Sequence, residues 1–258
     1  MKPNALIARR NAQQGFTLVE LLVAMLLALF LIGGLLTLEG STRKTFGNQS
    51  QLSQLQDDER LAMTLIAEVV ESGGYFPNPT FTTLNNALPA TGVYVNAGQA
   101  VYGTHTSATT PDTLYVRYVT GGATDGMINC SGGSGTAGTF INEFAIDANN
   151  ELTCSINGGN AIALVGGRTV QGVGGTNPAG VTNMQILYGV KTNFAVTNTS
   201  ADSYLTAAQM TAADWLNVIS VQVTLTFSNP LYGQVGQTAP TISFTRTICV
   251  MSKAGVNT

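Results

Sequence analysis

The run FTLVELLVAMLLALFLIGGLLTL, residues 16–38, constrains this chain more than any other stretch. It is 23 residues long and holds one charged side chain, Glu20. At 1.5 Å per residue, a helix of that length crosses the roughly 30 Å hydrocarbon core of a bilayer with modest tilt. A carboxylate inside such a helix costs about 2.5 to 3.5 kcal/mol on insertion scales, so it is ordinarily kept for a partner or a pathway. Residues 1–15, MKPNALIARRNAQQG, are polar and basic, with Lys2, Arg9 and Arg10 and no acid. A secretory signal would follow its basic segment with a short apolar core of about 7 to 15 residues and a small-residue cleavage site. The order here differs, and the basic end predicts a cytoplasmic amino terminus with everything beyond residue 38 exported.

Beyond the apolar run the helical pattern continues. Leu52, Leu55, Ala62, Leu65, Ile66 and Val69 recur at three- and four-residue spacing with polar residues between them, an amphipathic stripe. Gly73 and Gly74, then Pro77 and Pro79, supply a stop. The expectation is one long helix from Phe16 to about Ser72, gently broken at Gly33 and Gly34 because glycine disfavours helix by about 1 kcal/mol relative to alanine. Gly40 and Gly47 interrupt any heptad pattern.

From residue 81 the texture changes to short β-prone runs between Gly, Asn and Pro clusters. Strands are expected at 112–119, 140–147, 151–156, 161–165, 183–190, 216–228 and 241–251. In VQVTLTF, Val221, Val223, Leu225 and Phe227 face one way and Gln222, Thr224 and Thr226 the other, as a sheet covered on one face requires. The helical stripe is the expected cover. DANNE, 147–151, reads as a tight hairpin turn, and GGRTVQGVGGTNPAG, 166–180, as a surface loop.

Charged residues make up 10% of the chain, against about 25% in an ordinary soluble domain. Removing residues 1–15 would take the net charge from −3 to −6. A mildly acidic chain without clustered Lys and Arg argues against a nucleic-acid surface. The single histidine, His105, lies in the loop-like YGTHTSATTPD and reads as solvated surface rather than a catalyst. No hydrolase, metalloprotease, P-loop or dinucleotide motif is present, so the chain is not expected to be an enzyme or to need a cofactor. Asp147, Asn149 and Glu151 lack the Gly and distal Glu of a calcium loop, and no Cys or His spacing suits zinc, so no metal site is expected. In an oxidising compartment, Cys130 and Cys154 could form a loop-stapling disulfide; the alternative is two buried thiols. Cys249, inside an apolar strand, reads as a free core thiol. Trp215, before the longest strand, reads as a packing or interface residue, with packing favoured.

The amino terminus GFTLVELLVAMLLALFLIGGLL resembles that of type IV prepilins: a short basic leader ending in Gly, then Phe, then an apolar helix with Glu at its fifth residue. Downstream, QDDERLAMTLIAEVVESGGYF, PDTLYVRYVTG, INCSGG, INEFAIDANNELTCSI, ALVGG, VTNMQILYGV and DWLNVISVQVTLTFSNP, in that order, resemble the PilW family of minor pilins. The resemblance implies an α+β, pilin-like fold: a long N-terminal helix, membrane-spanning in its first half, packed on an antiparallel β-sheet domain with long loops. It implies a leader at 1–15, a transmembrane and assembly helix at 16–38, its amphipathic continuation at 39–74 and an exported head at 75–258. Prepilin peptidase would cleave between Gly15 and Phe16 and N-methylate Phe16, and Glu20 would pair with the amino group of a neighbouring subunit's first residue. The implied partners are other minor pilins, the major pilin, a tip adhesin and the inner-membrane assembly platform, in a tip complex that primes pilus assembly, with adhesion and twitching motility as its uses. The subunit would sit in the inner membrane before assembly and in the pilus at the cell surface after it. Competing readings are a minor pseudopilin of a type II secretion system and a bitopic, membrane-anchored periplasmic enzyme or receptor.

Overall fold

A 54-residue helix, α1 (Leu18–Glu71), dominates the first third of the chain. The structure, a computed structural model, describes residues 15, 17–172, 175–193 and 200–253, with backbone alone for 168–179. Two compact units are present, Met1–Gln49 and Ser50–Thr258. Thr17 starts α1: its Oγ1 accepts the Glu20 N–H at 3.3 Å, and its carbonyl accepts the Leu21 N–H at 3.2 Å. Thr17-Leu-Val-Glu20 thus has the pattern of a capping box, with an acid in the positively polarised first turn.

The expected break at Gly33 and Gly34 is absent, and α1 continues through Gly40 and Gly47 as well. Nucleation is the costly step of a helix, and each later residue adds a hydrogen bond. Leu29, Leu31, Leu35 and Leu36 around Gly33 and Gly34, and Glu39, Arg43, Lys44 and Gln49 near Gly40 and Gly47, are good enough formers to carry α1 across. At the far end Gly73 N–H returns to the Val70 carbonyl at 3.0 Å, and Gly74 takes φ +77°, where a side chain would strike Ser252.

In the second unit, β1 (Val101–Thr104), β2 (Thr113–Thr120), β3 (Gly138–Ile146), β4 (Leu152–Ile156) and β5 (Ile162–Val165) form an antiparallel meander in sequence order. A two-stranded ribbon follows, β6 (Arg168–Gly172) with β7 (Gly175–Ala179). The segment expected to be a surface loop is therefore paired. Its Gly-Thr-Asn composition hides the pairing because backbone bonds, not apolar side chains, define it. The second sheet has the order β11-β10-β8-β9, built from β8 (Val181–Val190), β9 (Ser203–Leu205), β10 (Val218–Ser228) and β11 (Thr241–Cys249). A single turn of helix, α2 (Leu84–Ala87), is capped by Thr83.

Alternation sets the core. Val221, Val223, Leu225 and Phe227 of β10 are buried, with Leu225 between Met184 of β8 and Phe244 of β11. The helical stripe joins the same cluster through Leu55, Ala62, Met63, Ile66, Ala67, Val69 and Val70. Its position corrects the sequence reading at two places: Leu52 is exposed and Leu65 only half-buried, while Met63, Ala67 and Val70 take the inward positions.

Arg117 is the unexpected member of β2. Strand parity sends Leu114, Val116 and Tyr118 into the core and turns Arg117 to the other face, yet it is completely buried. The segment 88–99 folds over it. Its Nε donates to the Gln99 carbonyl at 2.6 Å, one terminal nitrogen to Pro89 at 2.7 Å, and the other to Leu88 at 3.2 Å and Asn96 at 3.3 Å. The Tyr94 ring stacks on the guanidinium at 4.0 Å. A planar fork with five donors suits four carbonyls and a ring where an ammonium does not. Burial lowers the pKa of Arg117 from its ordinary value and raises that of the Tyr94 hydroxyl.

Replacing Arg117 with Met leaves the Gln99 and Pro89 carbonyls without donors, while Leu88 and Asn96 keep the N–H groups of Gly98 and Gln99, at about 1 to 3 kcal/mol for each unsatisfied group. The expected loss is about 3 kcal/mol, or about 6 to 12 °C in the melting temperature of the detergent-solubilised chain by circular dichroism. Arg246→Met, on the exposed edge strand, is expected to stay within about 0.5 kcal/mol of the wild type.

Candidate assembly interface

Unit one presents its whole apolar surface outward. From Leu18 to Leu38 every large apolar side chain of α1 is exposed, up to 80% for Phe30. Burying one such side chain contributes about 1.5 to 3 kcal/mol. Leaving all of them in water would cost more than about 20 kcal/mol, above the roughly 5 to 15 kcal/mol that holds a domain together. This surface requires lipid or protein around it. α1 is long and apolar enough to cross a membrane, and its apolar stretch ends at the exposed Glu39–Arg43 pair, 2.5 Å apart.

Of the residues the sequence singled out here, Glu20 is exposed in the first turn, and Gly15 is exposed with open space around it. Phe16 and the rest of the leader, residues 1–14, lie outside the described residues. Glu20 complements the positive end of the helix, which contributes about 0.3 to 1 kcal/mol.

The head holds the remaining candidates. Cys130 and Cys154 form a disulfide, with Cα atoms 6.0 Å apart and both residues buried. It ties the segment after β2 to β4, and the Cys130 N–H adds a bond to Asn142 Oδ1 at 2.9 Å. Closing a loop of this size contributes roughly 3 kcal/mol. Cys249 is free and exposed, not a core thiol, because Ile248 and Val250 on either side take the inward positions. Asp147 makes the hairpin turn: its Oδ1 accepts the Asn149 and Glu151 N–H groups at 2.9 and 2.8 Å. Trp215 packs between Tyr188 and Tyr102, at 4.8 and 5.2 Å between ring centroids.

His105 is not solvated surface. Its Nδ1 lies 2.8 Å from Asp112 Oδ1, and Asp112 is itself 1% exposed. The other carboxylate oxygen accepts the Ile186 N–H of β8 at 2.8 Å, and the Asp112 N–H donates to the Met184 carbonyl at 2.8 Å. Asp112 thus clips the meander to the second sheet, and among the described residues no group of three or more His, Cys, Asp or Glu side chains could hold a metal ion. The sequence hid both Asp112 and Arg117, since each sits in or beside an ordinary alternating strand. A charged residue inside such a run was the available clue.

The outward-facing apolar helix, its lone acid and the antiparallel head define a pilin-like subunit with a structural rather than enzymatic fold. Residues 10–36 match the prokaryotic N-terminal methylation motif, and residues 150–253 match the family model of type IV pilus-assembly protein W. These two matches support a PilW-type, prepilin-like pilin, a minor type IV pilin. Pilins of this family associate with other pilins and the assembly machinery, and the apolar helix fits anchoring in the inner membrane before the pilus. No match is found among curated proteins. Among solved structures, a type IV-like pilin from Thermus thermophilus aligns at 12% identity and a TM-score of 0.44, covering 78% of this chain and 97% of its own.

Burial raises the pKa of Asp112, and the bonds from Ile186 and His105 offset part of that rise. The folded chain therefore keeps a proton that the unfolded carboxylate would release. The associated stability is present in acid and is lost as pH rises from the ordinary carboxylate range through the raised folded value. Thermal unfolding between pH 4 and 8 is expected to show the wild type losing ground to Asp112→Asn as pH increases; parallel curves would remove this term.

Proposed function

We propose that this pilin is made as a precursor whose leader, residues 1–15, stays on the cytoplasmic face, held there by Lys2, Arg9 and Arg10. Residues 16–38 form the membrane and assembly helix, 39–74 its continuation, and 75–258 the exported head. Prepilin peptidase cuts between Gly15 and Phe16 and N-methylates Phe16. The mature subunit then leaves the bilayer and joins other minor pilins, the major pilin and a tip adhesin in a complex that primes assembly on the inner-membrane platform. Adhesion and twitching motility are the uses this serves. The observation that carries the reading is the exposed apolar helix with its single acid in its first turn. The match over residues 150–253 favours a pilus subunit over a secretion pseudopilin.

Cleavage creates a cationic amine on Phe16, and Glu20 of an adjacent subunit supplies its counter-charge. A carboxylate persists in an apolar medium when an opposite charge meets it. An uncleaved neighbour has no amine at that place.

Mass spectrometry of the fibre-associated protein is expected to give a chain beginning at methylated Phe16, and Gly15→Asp to leave the leader attached. Glu20→Ala and Glu20→Gln are both expected to be processed yet to enter fibres at least ~10-fold less well, equivalent to ~1.4 kcal/mol. Glutamine keeps the capping-box geometry and lacks the charge. A Gln variant that enters like the wild type would reduce Glu20 to a helix cap.

A further inference from the structure

At the carboxyl end of α1 the head unit has an open cleft of about 580 Å³. Glu68 and Glu71 line it from adjacent positions of one helix face, with Tyr75 just beyond; Met127, Ile128 and Met251 line it as well. No Lys, Arg or His lines it, and Lys253, two residues beyond Met251, is not among its walls. Neither glutamate takes part in an ion pair among the described residues. Asp125, whose charge acts on the Tyr75 hydroxyl, adds a third carboxylate nearby.

The helix itself sharpens the imbalance. The last turn of a helix carries a partial negative charge that favours cations, and the last turn of α1 has no basic residue. Two carboxylates at a negative helix end repel one another and the helix, unless a cation arrives from outside. Beside them the two methionines and Ile128 form an adaptable apolar surface of the kind on which a long cationic stem lies while its head reaches a charge.

We propose that this cleft receives a Lys or Arg side chain from a neighbouring exported subunit, its stem against Met127, Ile128 and Met251 and its charge against Glu68 and Glu71. That the neighbour is another pilin rests on the function proposed above. The pairing gives the head a specific contact separate from the apolar helix, and charge decides which neighbour is accepted.

The test is a photo-crosslinking amino acid at Met251 of the full-length protein in assembling cells, with a second placement at Met127 should the first variant fail to accumulate. The expected adduct maps to one Lys- or Arg-bearing segment of another pilin. Its yield is expected to fall ~5-fold in the Glu68→Gln, Glu71→Gln double variant, the effect of losing a pair worth ~1 kcal/mol. The proposal is overturned by an undiminished yield in the double variant, by adducts on a segment without a cation, by adducts to lipid amines alone, or by no adduct. Leader removal and co-purification with pilins are scored in the same cells. A processed, co-purifying protein whose adducts ignore the glutamates sinks the cleft proposal alone; an unprocessed protein absent from pilin complexes sinks the pilin function itself.

Discussion

Everything in this molecule follows from an apolar surface that the chain cannot cover by itself. The side chains from Leu18 to Leu38 point outward around the whole circumference of α1. Folding of the second unit does not relieve them, and the deficit exceeds the stability of a typical domain. Lipid relieves it, and so does a bundle of like helices. A subunit that moves between those two surroundings needs no change in its own fold, only a feature that distinguishes one from the other. In the function proposed above Glu20 would be that feature: costly in lipid, compensated where a cation lies beside it.

The head solves a different problem, that of keeping loop-rich, glycine-rich chain in one arrangement. Its two sheets share a core with residues 55–70 of α1, and two polar devices and a disulfide fix the segments around it. The buried guanidinium of Arg117 gathers the carbonyls of segment 88–99. The disulfide holds the segment after β2 against β4. Asp112 joins the two sheets through β8. Arg117 and Asp112 replace regular secondary structure as partners for backbone groups that would otherwise be buried unpaired.

Periodicity revealed the elements whose apolar side chains face a single core. The bounds of α1, the alternation of β10 and the hairpin at Asp147 could all be read that way, because 3.6- and 2-residue repeats are direct consequences of burial on one face. The β6–β7 ribbon was hidden because its pairing rests on the backbone. Arg117 was missed and His105 misjudged because burial of a charge depends on segments distant in sequence folding over it. Cys249 was placed inward by composition when strand parity, counted from Ile248 and Val250, turns it outward. For the interface, the sequence pointed to Glu20 through its isolation, while the acidic cleft at Glu68 and Glu71 became visible only once Met127 and Met251 were brought beside the helix end.

The proposed exchange of lipid for protein around α1 is open to direct measurement. A spin label at Leu27→Cys, in a Cys249→Ser background, reports oxygen access in membranes and in the sheared fibre fraction. The account predicts high access to lipid-dissolved oxygen in membranes, a marked fall in fibres, and shielding from a water-soluble nickel chelate in both. Unchanged oxygen access in the fibre fraction, or exposure of the label to the chelate there, would contradict it.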